Sequence, residues 1–318
     1  MAMSEAHVHP EPLFDNPFHI EDLLVFDDAM LMRIVAHGGF GVTSEQLAHG
    51  LHGAPSAMLT RVTHCVPSKQ RAAFRAELVR PLSQAQVVQA QKRVLDSLFW
   101  ELTYWKTPHL YEELTEGETL HPGIFLQLAA TLRDKTVLDV GAGSGRATFE
   151  CLRHGAMLVH AVEPSPGLLR ILNQKKALSQ RVIAHEGRFD AIPLPDSSVD
   201  VALSCSAFTA LPEQGGEGGL AELQRVTKHG GKIIIIWPRI EDHAWLEAHS
   251  FRYVALPVRR EMRIQFRSLQ SALQCARLFY AHNKAVVQYV LKRQRADVPF
   301  SIIGINPPCD YYWCIVKK

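Results

Sequence analysis

A glycine-rich turn between an apolar run and a helical pattern constrains the fold of this chain more than any other feature. Residues 137–140 are apolar except for Asp139, as in a parallel strand that is covered on both faces. Glycines follow at 141, 143 and 145, and glycine lets the backbone bend sharply and approach a ligand closely. Ser144 is suited to cap the next helix. The segment therefore predicts a strand, a ligand-binding turn and a helix.

The spacing of these glycines separates two classes of cofactor. A dinucleotide-binding turn has the pattern G-x-G-x-x-G, and here Arg146 stands at its third glycine position. The pattern D-x-G-x-G-x-G, beginning at Asp139, instead resembles the first motif of class I S-adenosylmethionine-dependent methyltransferases. This resemblance implies that Asp139, Gly141, Gly143 and Gly145 bind S-adenosylmethionine, with Asp139 placed to accept from the ammonium of the cofactor.

Two later segments extend this resemblance. Glu163 ends an apolar run at 158–162, and a carboxylate at the end of a second strand can accept both ribose hydroxyls of an adenosine. Residues 187–200 resemble the adenine-binding loop of the ubiquinone/menaquinone-biosynthesis type of methyltransferase. Two residues depart from the family pattern. Arg188 stands where an Asp commonly receives the adenine amino group and cannot accept that hydrogen bond, so Asp190 or a backbone carbonyl is expected to take the role. Phe189 stands where a small residue is usual and is expected to stack on the adenine.

The end of the fourth predicted strand, residues 201–204, is the expected place of methyl transfer. In the enzymes that this chain resembles, the strand end lies beside the transferable methyl group. The resemblance thus implies a cofactor contact for Ser204 and acceptor-pocket positions for Cys205 and Phe208. The D/N-P-P-Y/F motif of many nucleic-acid and protein amino-group methyltransferases is missing here. The related run at 306–308 lies near the C-terminus, where a turn is the better interpretation.

Alternating strand and helix patterns from residue 123 onward predict the fold class. They indicate a Rossmann-like, doubly wound α/β sheet of seven strands, six parallel and one antiparallel, spanning 123–318. A helical insertion is expected at about 259–305, and its many cations form either a solvated helix face or a basic surface for an anionic partner. Residues 1–20 are expected to form a flexible arm, and 21–122 a helical lid or dimerisation domain.

The helical pattern at 21–122 leaves two interpretations open. Helix, turn and capped helix are compatible with a winged-helix-like module, which several small-molecule O-methyltransferases use to form homodimers. The same outline could bind DNA, but the last predicted helix of the module, 57–66, offers only Arg61 as a cation, so the sequence disfavours nucleic acid as a partner. A lid or interface domain is the favoured interpretation.

Aromatic residues just before the sheet domain are candidates for the acceptor pocket. Trp105 and Tyr111 lie in this run, with His121 shortly after it, although an aromatic stripe at helical spacing is most often core. A base is needed only if the acceptor is protonated. We name His121 and Tyr111 as catalytic candidates, while His109 and His243 remain alternatives that the sequence does not separate.

Composition restricts which partners and which cellular compartment the sequence predicts. The net charge of +2 does not indicate binding to nucleic acid or to a membrane surface. The longest strongly apolar run, 233–237, is too short to cross a bilayer. Six cysteines without a C-x-x-C pair suggest reduced thiols in a cytoplasmic protein. The isolated His7-x-His9 pair is not expected to bind metal.

These patterns together predict one function and two competitors. The prediction is direct in-line transfer of the methyl group of S-adenosylmethionine to a small, partly apolar metabolite. The first competitor is a methyltransferase that acts on nucleic acid or another macromolecule. The second is a non-catalytic regulator that binds S-adenosylmethionine. A dehydrogenase is disfavoured by Arg146.

Overall fold

The computed structural model describes residues 16–36, 39–177, 179–281 and 283–318. The predicted arm at 1–20, with its His7 and His9 pair, falls mostly outside the described residues. Within its last part, Phe18 is buried against the helical domain, and Ile20 begins a 3-10 helix. No helix in the part of the chain that the structure describes is long and apolar enough to cross a membrane.

Helices alone build the N-terminal domain. Short 3-10 helices lie at Ile20–Val25 and Gly39–Gly41, and the α-helices are α1 (Asp28–Ala36), α2 (Ser44–Gly50), α3 (Ser56–Cys65), α4 (Arg71–Leu78), α5 (Gln84–Ser97), α6 (Phe99–Lys106) and α7 (Pro108–Gly117). The next helix, α8 (Gly123–Leu132), packs against the sheet and belongs to the second domain. A capping box begins α2. The Thr43 hydroxyl accepts from the Gln46 N–H at 3.1 Å, and Gln46 Oε1 accepts from the Thr43 N–H at 3.0 Å.

The helical domain has an apolar core of its own. Residues from 18 to 102 contribute to it, including the fully buried side chains of Leu31, Met58 and Leu98. Trp105 packs against the edge of this core, with its ring 5.4 Å from that of Phe26. This domain is therefore held together independently of the sheet that follows.

A seven-stranded sheet with the order β3-β2-β1-β4-β5-β9-β6 forms the centre of the second domain. Its strands are β1 (Thr136–Val140), β2 (Leu158–Glu163), β3 (Val182–Glu186), β4 (Val199–Cys205), β5 (Thr227–Ile236), β6 (Arg252–Ala255) and β9 (Asp310–Ile315). Only β9 runs antiparallel to its neighbours. The prediction of six parallel strands and one antiparallel strand is confirmed.

Helices cover both faces of the sheet and complete the doubly wound fold. They are α9 (Arg146–Arg153), α10 (Pro166–Lys176), α11 (Gly216–Val226) and α12 (His243–Ala248), with 3-10 helices at Pro212–Gln214 and Ile240–Asp242. Alternating strand residues enter two separate apolar clusters, as Leu138 and Val137 do on opposite faces of β1. The chain turns in opposite directions after β1 and β4, so the crevice between them opens at their carboxyl ends.

The predicted helical insertion contains helices and a small sheet. Its helices are α13 (Leu269–Phe279), α14 (Lys284–Arg293) and α15 (Phe300–Ile303), and β7 (Arg263–Gln265) pairs antiparallel with β8 (Asp297–Pro299). The sequence did not predict this two-stranded sheet. Several of the cations are paired, since Arg263 and Arg295 both bind Asp297, and Arg267 binds Glu116 of α7.

The helical domain docks on the sheet domain where α6 and α7 meet the start of α10. The Ser165 hydroxyl donates to the Tyr104 carbonyl at 2.8 Å, and Lys175 forms an ion pair with Glu112. Gly167 makes the approach possible, because a Cβ there would lie 2.3 Å from the Tyr104 oxygen. This contact fixes α6 across the carboxyl end of β2.

We expect Gly167→Ala to destabilise the protein by about 1–3 kcal/mol, because the new methyl group would push α6 away from the sheet domain. Gly218→Ala is the matched control, since a Cβ at this position of α11 meets nothing within 4 Å. That change should raise the free energy of unfolding by up to about 1 kcal/mol through helix propensity. Urea unfolding measures both, and equal effects would contradict the tight approach.

Candidate functional site

The glycine turn after β1 has the conformation that its sequence predicts. Gly141, Gly143 and Gly145 have φ values of 70°, 57° and 98°, in the region that favours glycine. The N–H groups of Gly141 and Ala142 both donate to the Val162 carbonyl, at 2.9 and 3.1 Å. Ser144 does not cap α9 as expected; Gly145 occupies the cap position with its left-handed backbone. Helix α9 therefore begins at a left-handed glycine, without a hydrogen bond from a capping side chain.

Glu163 connects this turn to the end of β2. Its two carboxylate oxygens accept the N–H of Gly143 and the N–H of Ser165, each at 2.8 Å. The side chain is buried, and burial raises the pKa of Glu163 to about 7 despite these bonds. Each oxygen retains a lone pair, so the oriented carboxylate can still accept hydroxyl groups from a ligand.

Asp139 presents an unsatisfied acceptor beneath the glycine turn. Its Oδ2 accepts the Thr148 hydroxyl at 2.6 Å, whereas its buried Oδ1 has no hydrogen-bond partner. Burial raises the pKa of Asp139 to about 6. The side chain lines a small cavity of about 30 Å³, together with Gly143 and Tyr111. A buried acceptor without a donor fits the ammonium group expected of the cofactor.

A larger cavity of about 450 Å³ lies between the helical domain and the carboxyl edge of the sheet. The sequence-predicted residues that line it are Trp105, Tyr111, Gly141, Gly143, Glu163, Phe189 and Asp190. Asp139 and Cys205 lie on the small neighbouring cavity, and Gly145 and His121 on a third cavity of about 540 Å³ around the start of α9. Ser204 and Phe208 are buried and line none of the three.

The predicted adenine end of the large cavity is built by residues 187–190. The Arg188 guanidinium donates to both oxygens of Asp190, at 2.9 and 2.8 Å, and this pairing lowers the pKa of Asp190. Phe189 is held by an edge-on contact with Phe208, at 5.4 Å between ring centroids. Arg188, which departs from the family pattern, thus orients the acid that stands two residues later.

The two catalytic candidates differ in their surroundings. Tyr111 packs edge-on against Tyr104 at 4.7 Å, and burial raises the pKa of its phenol. Tyr111 therefore stays protonated at neutral pH and can donate a hydrogen bond, but it is a poor base. His121 accepts the Gly123 N–H at 3.1 Å through Nδ1 and lies outside the large cavity. His109 is exposed, and His243 packs on Tyr253 and Tyr312 instead.

Sequence reasoning missed the polar residues that the helical domain adds to the large cavity. Arg33 of α1 and Glu101 and Tyr104 of α6 line it, opposite Arg239 from the segment after β5. One signal was present, because Glu101 is an isolated charge within the aromatic run at 99–105. Its position opposite Glu163 depends on domain docking, which a local pattern does not encode.

Arg146 was also missed as a part of the site. Its guanidinium donates to the Ser206 hydroxyl at 2.8 Å and to the Glu118 carbonyl at 3.2 Å, and it forms an ion pair with the Glu118 carboxylate at 3.4 Å. It also lies over the Trp237 ring at 5.6 Å. Arg146 thus joins α9, α7 and the segments after β4 and β5 beside the glycine turn.

Comparison with known proteins agrees with this geometry. Residues 137–231 match the family model described as "Methyltransferase domain". Dimethylglycine N-methyltransferase of Parasynechococcus marenigrum is 29% identical over 154 residues, which cover 42% of this chain and 54% of the relative. Protein arginine N-methyltransferase 1 of Schizosaccharomyces pombe is 31% identical over 114 residues, covering 34% and 33%. The chain thus spans about half, or less, of the length of these relatives.

A solved structure, the YcgJ protein of Bacillus subtilis, aligns over 62% of this chain and 100% of its own, with 13% identity and a TM-score of 0.42. The family match lies within the sheet domain and includes the glycine turn and Glu163. It confirms the resemblance found in the sequence, whereas the helical domain lies outside the matched residues.

We expect Gly141→Ala to weaken binding of S-adenosylmethionine at least tenfold. Its Cβ would lie 2.6 Å from the Ala207 Cβ and 3.2 Å from Phe189, so the turn must shift into the cavity. Gly230→Ala is the matched control, because Gly230 has a similar φ of 75° but open space around it. The control should lose about 1 kcal/mol of stability and keep its affinity. Calorimetric titration of both variants measures this, and equal affinities would contradict the proposed turn contact.

Glu163→Gln should also weaken binding of S-adenosylmethionine at least tenfold. Its amide has one acceptor oxygen, so the N–H of Gly143 or Ser165 loses a partner and the turn loses its anchor. Glu241 is the comparison, because it is an exposed glutamate of the same domain that lines none of the three cavities. We expect Glu241→Gln to change the affinity less than threefold. A loss of the same size in both variants would remove the special role of Glu163.

Proposed function

We propose that this protein, whose sheet domain matches the methyltransferase family model, transfers the methyl group of S-adenosylmethionine to a small, partly apolar acceptor held in the large cavity. The observation that carries the proposal is the two-sided construction of that cavity. Gly141, Gly143 and Glu163 line it from the sheet domain, while Tyr104 and Trp105 line it from the helical domain. An acceptor must enter between the two domains to approach the cofactor.

The residues of the sheet wall fit S-adenosylmethionine, the cofactor of this class. In this proposal, Glu163 accepts the ribose hydroxyls, the free Oδ1 of Asp139 accepts from the ammonium, and Phe189 stacks on the adenine. When bound, the cofactor supplies an electrophilic methyl group, which an acceptor O, N, S or C atom takes by in-line displacement. Holding both partners in attack geometry can lower the barrier by as much as about 7–11 kcal/mol.

Residues of the helical wall then orient the acceptor. Tyr111 reaches both the large and the small cavity, so its protonated phenol can donate to an acceptor beside the glycine turn. Trp105 and Tyr104 give this side of the cavity an aromatic, partly apolar surface. Cys205 lies on the small cavity as a wall residue, with burial raising the pKa of its thiol to about 11.

A macromolecular acceptor is the main alternative, since one named relative is a protein arginine N-methyltransferase, while the other is named for dimethylglycine, a small acceptor. For that role the basic insertion would supply a docking surface. Arg263, Arg267 and Arg295, however, are already paired with acidic side chains of this chain. This pairing reduces the positive charge that a polyanion would meet.

The proposal is tested by incubating the purified protein with methyl-labelled S-adenosylmethionine and a cell extract that has been separated by size. We expect the label in the low-molecular-weight fraction, because the acceptor enters the cavity between the domains. Label in the nucleic-acid or protein fraction would support the macromolecular alternative. Tight cofactor binding without labelling of any fraction would support a non-catalytic regulator.

A further inference from the structure

Glu101 is an acidic side chain in the cavity wall to which the proposed function assigns no role. It lies on α6 and faces the same cavity as Glu163. It forms no hydrogen bond or ion pair with any residue that the structure describes. An unpaired, half-buried carboxylate is destabilising unless a ligand compensates its charge.

The charges around Glu101 leave the cavity negative. The positive charge of Arg33 on α1 acts on Glu101, but its guanidinium also donates to the Glu213 carbonyl at 3.4 Å and lies over the Phe40 ring. Arg188 is bound to Asp190. The charged side chains that line the cavity are six acids and three bases: Asp27, Glu101, Glu163, Glu186, Asp190 and Glu213 against Arg33, Arg188 and Arg239.

We propose that Glu101 makes this cavity select the cationic cofactor S-adenosylmethionine over the neutral product S-adenosylhomocysteine. The inference rests on the proposed function, because it concerns the same cavity. S-adenosylmethionine carries a sulfonium, an ammonium and a carboxylate, so its net charge is +1. Loss of the methyl group turns the sulfonium into an uncharged thioether, and the net charge falls to zero. A cavity with an unpaired interior carboxylate therefore holds the cofactor more tightly than the product and favours product release.

The expected size of the effect follows from the coupling of charges at short range. An opposite charge within about 4–6 Å changes the proton affinity of a carboxyl group by a factor of about 10–1,000. By linkage, a carboxylate at such a distance improves the affinity for the cation by a comparable factor. Solvent screens this coupling less at the half-buried position of Glu101 than at an exposed carboxylate, which would contribute little.

The ionisation of Glu101 also predicts that protons are released when the cofactor binds. The groups that face it are Arg33 from α1, Tyr104 on its own helix and Glu163 from β2. Burial raises the pKa of both Glu101 and Glu163 to about 7 in the ligand-free protein. A bound cation favours the ionised carboxylates, so the cofactor should release protons on binding near pH 6.5. The neutral product should release fewer.

The sign of the pH dependence follows from these raised pKa values. The folded protein holds these protons more tightly than the unfolded chain, whose glutamates titrate near 4.5. The two groups therefore lower the stability of the ligand-free protein as the pH rises from about 4.5 to about 7, and the full loss persists above that range. Stabilisation by S-adenosylmethionine should increase over the same interval, and stabilisation by S-adenosylhomocysteine much less.

Calorimetric titration with both ligands, in two buffers of different ionisation enthalpy between pH 6 and pH 8, tests the proposal. We expect Glu101→Gln to weaken S-adenosylmethionine about tenfold or more, to change S-adenosylhomocysteine less than threefold and to reduce the proton release. Glu21→Gln, an exposed charge change in the same domain, is the control and should change neither affinity. Removing an unpaired charge should not lower the Tm, so thermal unfolding checks that the variant is folded.

Equal losses for both ligands, or no loss for either, would overturn the selectivity. The proton release of the unmodified protein tests the same point without a variant, and equal release with both ligands would also contradict it. Failure of the proposed function has a different result, because the unmodified protein would then bind neither ligand or would transfer no methyl group. Normal binding with an unchanged ratio of affinities would remove only the role of Glu101.

Discussion

The carboxylate of Glu163 is the interaction on which the geometry of the site depends. One oxygen fixes the glycine turn after β1 through the Gly143 N–H, and the other fixes the start of α10 through the Ser165 N–H. Ser165 extends the connection, because its hydroxyl donates to the Tyr104 carbonyl of α6. A single buried acid therefore aligns two strand ends and the helical wall opposite them. Its pKa of about 7 is a consequence of that burial.

Local patterns were sufficient to predict the sheet wall of the cavity. The apolar run before Asp139 and the spacing of Gly141 and Gly143 depend on neighbouring residues, and Glu163 follows one strand later. These features determine the backbone of a strand and a turn wherever the rest of the chain lies. The number of strands and their direction were predicted for the same reason. Ser144 was the local failure, because the left-handed Gly145 ends the turn without a side-chain cap.

The helical wall of the cavity could not be predicted with the same accuracy. Trp105 and Tyr111 were identified from an aromatic run, but Glu101 and Arg33 were not, because they approach the sheet only through the docking of α6 and α1. The two-stranded sheet of the insertion was not predicted either. Its strands have three residues each and are separated by two helices, so neither has a strong periodic signal. His121 was placed by its proximity in sequence, and the fold directs it into a different cavity.

The separate apolar cores of the two domains have an evolutionary consequence. In the proposed function, the sheet wall uses Asp139, the glycines and Glu163 to hold one cofactor, so few of its positions are free to change. The helical wall is supported by its own core, so substitutions on α6 at positions other than Glu101 and Tyr104 can change the acceptor side without moving the backbone of the glycine turn. Selection can therefore adapt the protein to a new acceptor by changing one domain while the other preserves the source of the methyl group.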